Sequence, residues 1–143
     1  MATFHEYGPS RDEIREAFNK ASASDARYLL LIDETLEDTY SITNYTNMRA
    51  INKPCEIVPL LREMDAQASY ASHRLTHVLD LKKDFDAQMA QWGKGGFEGT
   101  LPAFAVQELA EYKKEKDFAR QQAAWQSQPF LARLFSTPPM RPK

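Results

Sequence analysis

Cysteine is almost absent from this 143-residue chain; Cys55 stands alone, so no internal disulfide can form. That excludes a disulfide framework and fits a reducing compartment. Glycine is scarce, and no Gly-x-Ser-x-Gly elbow is present to activate a serine nucleophile. Long apolar runs are missing as well. The longest, Tyr28–Ile32, falls far short of the ~20 residues that span a bilayer, and Met1–Tyr7 lacks the basic start and apolar stretch of a signal peptide. The expectation is a cytoplasmic protein without a membrane partner. A basic excess is also lacking. The formal net charge of −2 argues against a chain built to grip phosphate backbones.

What is present is the composition of a globular domain. The 43% hydrophobic and 27% charged fractions are ordinary, so disorder is not the default. A chain near this length buries about 68–70% of its unfolded surface, enough for a core without staples. Charge is unevenly spread, however. Residues 1–46 hold 4 Lys/Arg against 9 Asp/Glu, residues 47–92 hold 6 against 6, and residues 93–143 hold 8 against 5. An acidic head and a mildly basic tail suit an asymmetric partner or head-to-tail contacts.

Ser10-Arg11-Asp12-Glu13 has the form of a capping box, and Ile14, Ala17, Phe18 and Ala21 follow at helical spacing. A first helix to about Ser22 is predicted. Tyr28–Ile32 has no polar alternation, which suits a strand covered on both faces. After an acidic turn at Asp33–Asp38, Thr39–Tyr45 alternates and is rich in β-branched and aromatic residues, so the two runs read as a hairpin. Cys55–Val58 either adds a third strand or does not.

From Pro59 the apolar residues Leu61, Met64, Ala68, Ala71, Leu75, Val78, Phe85, Met89 and Trp92 keep a three–four step, broken at Lys82. The spacing predicts a helix over 59–92, about 51 Å long, which must protrude, pair or break. Its weakest stretch is Ala66–Ser72. A Gly-rich connector, Gly93–Gly99, leads to a second long helix from about Pro102 to Ser127, with a seam of Ala105, Leu109, Tyr112, Ala119 and Ala123. Phe104, Phe118 and Trp125 fall on a second face. The fold class read here is therefore α+β and predominantly helical. It comprises an N-terminal helix, a β-hairpin, two long antiparallel helices and a short C-terminal helix. Residues 1–135 form one domain and residues 136–143 a flexible Pro-rich tail.

Several groups invite chemistry. His73, His77, Asp80 and Asp84 would share one face of the predicted helix and are all metal-ligand types. The glutamate that a zinc-protease helix places after its first histidine is missing, and a polar stripe opposite an apolar seam is what any amphipathic helix carries. Asp33, Glu34, Glu37 and Asp38 form an acidic patch that suits Mg²⁺ or Ca²⁺, a basic protein surface, or plain solvation of a turn. The glycines of 93–99 follow a helix rather than a strand, which excludes a phosphate loop. Cys55 reads as a buried small apolar residue rather than a reactive thiol. Lys113, Lys114, Lys116 and Arg120 are interleaved with acids, as on a solvated helix. Phe130, Leu131, Leu134 and Phe135 either fold back on the chain or dock into a partner.

No catalytic centre and no cofactor follow from these residues. The function read here is a non-catalytic binding, assembly or accessory protein. Its partner is another protein or a second copy, met through the helical hairpin and through Phe104, Phe118, Trp125 and the 130–135 group. One alternative is an acidic inhibitor or regulator that occupies a nucleic-acid-binding surface of a partner. Another is a metal-dependent enzyme. Charge balance argues against nucleic acid as the direct partner.

Overall fold

The computed structural model describes residues 2–4, 8–37, 41–67, 70–92, 97, 99–126, 138 and 140. The chain divides into two compact units, Met1–Val106 and Gln107–Lys143. The first is built on an antiparallel sheet. Its elements are β1 (Ala2–Phe4), α1 (Arg11–Ala23), β2 (Tyr28–Glu37), β3 (Ile42–Ile51), α2 (Ile57–Ala66), β4 (Ala71–Asp80) and α3 (Phe85–Ala90). A last helix, α4 (Ala103–Gln126), begins in the first unit and makes up all of the described part of the second except Pro138 and Met140. Among the described residues no helix is long and apolar enough to cross a membrane.

The capping box forms as its sequence dictates. The Glu13 N–H donates to Ser10 Oγ at 3.2 Å, and the Ser10 N–H donates back to Glu13 Oε1 at 3.1 Å. Ile14, Phe18 and Ala21 are buried, so α1 presents one apolar stripe. The strand order is β1–β3–β2–β4, all antiparallel. The unbroken apolar run of β2 lies at the centre, and Leu29, Leu30, Leu31 and Ile32 are all buried. In an antiparallel sheet such a run requires cover on both faces. One face carries Leu29 and Leu31, which join Ile14, Phe18, Met48, Leu79 and Phe85 in a core under α1 and α3. The other carries Leu30, Ile32, Leu75 and Val78, buried together with Ile57, Leu61 and Met64 of α2.

Two long antiparallel helices are not what forms. α4 is the one long helix among the described residues, and the predicted 59–92 helix is instead α2, β4 and α3. The cause lies in a β-bulge. Leu31 pairs with His77 but Ile32 pairs with Leu75, so Thr76 is the extra residue. Of the β4 residues on the α2 face, His73, Leu75, Val78 and Asp80 are buried and Ala71 is half-buried. The step from Leu75 to Val78 imitates a helical i,i+3 step although the backbone is extended. Thr76 and Val78 are also β-branched, poor helix formers that suit a strand. Asp84 interrupts the old seam as the N-cap of α3, accepting from the Ala87 N–H at 2.8 Å.

Other expectations change with it. β2 continues through Asp33–Glu37 where a turn was expected, and β3 extends the second hairpin strand to Ile51. Cys55 lies in a 3₁₀ turn, Pro54–Glu56, and is exposed rather than buried. On α4, Ala105 and Tyr112 are buried, but Ala119 and Ala123 of the same seam are exposed. The short C-terminal helix and most of the 136–143 tail lie outside the described residues.

Candidate functional site: the open face of the sheet

On the face covered by α1 and α3, Trp92, two residues past the end of α3, is the last described residue of the cover. Its ring stacks on His77 with centroids 3.7 Å apart and planes within 2°. His77 Nδ1 lies 3.2 Å from Thr76 Oγ1. Burial under Trp92 lowers the His77 pKa below the ordinary histidine value; a hydrogen bond to the Trp92 backbone and the charge of Asp33 oppose this.

Beyond that stack, the register of the three long strands builds a grid of side chains on the same face. Asp33 sits between Thr46 and Arg74, and Thr35 sits between Asn44 and Ser72. Glu37 pairs with Ile42 on one side, and its N–H donates to the Tyr70 carbonyl at 2.9 Å on the other. The third row is thus Ile42, Glu37 and Tyr70. Rows two residues apart lie about 6.8 Å apart along the strands, and neighbouring strands about 4.8 Å apart. The first two rows are polar. Thr46 Oγ1 donates to Asp33 Oδ1 at 3.4 Å, Thr35 Oγ1 donates to Asn44 Oδ1 at 3.1 Å, and Arg74 Nη2 stands 3.8 Å from Asp33 Oδ2. Asp33, Thr35, Asn44, Ser72 and Arg74 line an open cleft of about 560 Å³. In the third row Ile42 is 66% and Tyr70 62% exposed, high values for side chains of this size.

The opposite face holds a different constellation. His73 is buried between two carboxylates: Nε2 is 2.7 Å from Glu34 Oε1, and Nδ1 is 2.9 Å from Asp65 Oδ1 on α2. The His73 N–H donates to the same Asp65 oxygen at 2.9 Å. This arrangement fastens α2 to β4 and β2.

The residues singled out from sequence are dispersed by these elements. His73 and His77 lie on opposite faces of β4. Asp80 is buried; its Oδ2 accepts from Arg27 Nη2 at 3.0 Å and its Oδ1 from the Lys82 N–H at 2.9 Å. Asp84 is a helix cap. Among the described residues no group of three or more His, Cys, Asp or Glu side chains is placed to hold an ion. Strand alternation splits the acidic patch. Asp33 and Glu37 face the open side, Glu34 faces His73, and Asp38 lies outside the described residues. Phe104 is 49% exposed, while Phe118 and Trp125 are half-buried. Phe130, Leu131, Leu134 and Phe135 lie outside the described residues.

Sequence reasoning missed Thr35, Asn44, Ser72 and Arg74 as neighbours, and Ile42 and Tyr70 as the rim beside them. The signal available was the alternation of Ser72, His73, Arg74 and Leu75, two polar positions against two buried ones. No known protein family, curated protein or solved structure matches this chain.

Proposed function

We propose that this chain is a non-catalytic binding or accessory protein that receives a partner protein on the open face of its sheet. One observation carries the reading. Three consecutive rows on one face, from Asp33 to Glu37 along β2, carry polar side chains and end in two exposed large apolar ones, while Tyr28–Ile32 of the same strand is buried. A mixed polar and apolar surface of this kind is that of a non-obligate protein interface.

Strand addition at the edge of β4 is the competing mode. It is disfavoured because side chains already occupy outward backbone groups there. Asp65 takes the His73 N–H, and Gln88 takes both the N–H and the carbonyl of Asp80. The helical hairpin expected to carry self-association does not form among the described residues. Leu61, Met64, Leu75, Val78 and Phe85, which a second helix was to cover, are buried within the chain's own core.

The test is capture from a lysate of the source organism with the tagged full chain, after nuclease treatment, beside its Ser72→Arg and Asn44→Arg variants. The reading expects a stoichiometric protein that the parent retains and both variants lose, with unchanged melting temperatures. Capture indifferent to both substitutions overturns it.

A further inference from the structure

The third row of the open face contains a charge in an unusual setting. Glu37 is exposed, lies between Ile42 and Tyr70, and has no ion-pair partner among the described residues. Asp33, two residues earlier on the same face, shares its charge with Arg74 at 3.8 Å. Among the described residues the face thus carries two carboxylates against one guanidinium, and the unmatched carboxylate is the one beside apolar residues.

Resting on the proposal that this face receives a protein, we infer that the segment it receives is basic and apolar, with a lysine or arginine seated on Glu37 between Ile42 and Tyr70. Three physical arguments select this occupant. A cation there meets the Glu37 carboxylate next to the exposed Tyr70, whose carbonyl accepts from the Glu37 N–H, and tyrosine rings attract cations through their π faces. The apolar neighbours of that cation cover Ile42 and the rest of Tyr70, surface that water solvates poorly. A phosphate backbone would instead meet the unmatched Glu37 and be repelled.

A second copy of the same face is a poorer occupant. A two-fold stack about an axis through Thr35 along the strands sets Asp33 on Asp33 and Glu37 on Glu37. An axis across the strands sets Asp33 on Glu37. Both bring carboxylates together, which disfavours the contact.

The experiment titrates isotopically labelled full-length protein with three 12-residue Gly/Ser peptides. Their central residues are Leu-Lys-Phe, Leu-Glu-Phe or Ser-Lys-Ser, and backbone amide shifts are followed by NMR. The inference expects the Leu-Lys-Phe peptide to move the amides of Thr35, Glu37, Ile42 and Ser72, with weaker effects from the other two. Glu37→Gln should weaken binding about threefold, as for loss of an exposed charge pair. Glu37→Lys should weaken it about tenfold and turn the preference to Leu-Glu-Phe. Circular dichroism confirms that each variant keeps its fold, as expected for an exposed position. Equal binding of the Lys and Glu peptides on these amides overturns the charge assignment and leaves the face as a docking surface. Failure of all three peptides to move these amides overturns the inference. If capture is also unchanged by Ser72→Arg, the docking reading falls with it.

Discussion

Gln88 completes the hydrogen bonding of Asp80 as a neighbouring strand would: its Oε1 accepts from the Asp80 N–H at 2.7 Å and its Nε2 donates to the Asp80 carbonyl at 2.9 Å. One side-chain amide from α3 thus closes the end of an edge strand that would otherwise offer its backbone to another chain. Gln88→Ala is expected to destabilise the fold by about 1–3 kcal/mol, since two largely desolvated backbone groups lose their partners. Chemical denaturation measures the loss. Faster hydrogen exchange at the Asp80 amide, with other β4 amides less affected, would localise it.

The carboxylates around His73 are unequal. Asp65 accepts from the His73 backbone N–H and also meets its ring, whereas Glu34 meets the ring alone. Asp65→Ala should therefore cost more than Glu34→Ala, with the Asp65 loss about 1–3 kcal/mol. His73→Leu leaves two partly buried carboxylates without their shared hydrogen-bond partner and should cost about 1–3 kcal/mol. Equal melting temperatures for the Asp65 and Glu34 variants would contradict this ordering.

His77 gives the fold a pH dependence of definite sign. Burial holds its folded pKa below the unfolded value of 6.5, so the unfolded chain takes up the proton first as pH falls. The stabilisation is full above about pH 6.5, falls as pH drops from there to the lowered folded value, and levels off below it. Unfolding free energy measured across this window should slope upward with pH, and His77→Gln should flatten the slope. Trp92→Ala, which uncovers the ring, should bring the NMR-titrated pKa of His77 back toward 6.5.

The helix cap is a purely local contribution. Ser10→Ala removes the acceptor for the Glu13 N–H and should cost about 1 kcal/mol. The open face, lying on other elements, should keep its peptide binding. A loss of binding at matched fractions of folded protein would show coupling between the two.

Some of this molecule is legible in one dimension. The cap at Ser10–Glu13, the buried stripe of α1 and the two-sided burial of Tyr28–Ile32 each follow from contacts within a few residues, where spacing is structure. The span of α4 follows for the same reason, since Pro102 and the residues after it set its start locally. The strand β4 was not legible. One extra residue at Thr76 shifts the side-chain phase, and a period of two with a phase shift is indistinguishable from a helical step over so short a run.

What the sequence by itself determined was therefore the local repertoire: where the chain is capped, where it is apolar on both sides, and that its charge is acidic at the head. Only the tertiary structure decided which side chains meet. Asp33, Thr35 and Glu37 become a surface only when β3 and β4 bring Asn44 and Ile42 to one side and Arg74, Ser72 and Tyr70 to the other. His73 becomes a clamp only because α2 carries Asp65 over it. The physical reason is the same in both cases: hydrogen-bond register across strands is set by the competition of whole faces for burial, and no spacing within a single strand records it.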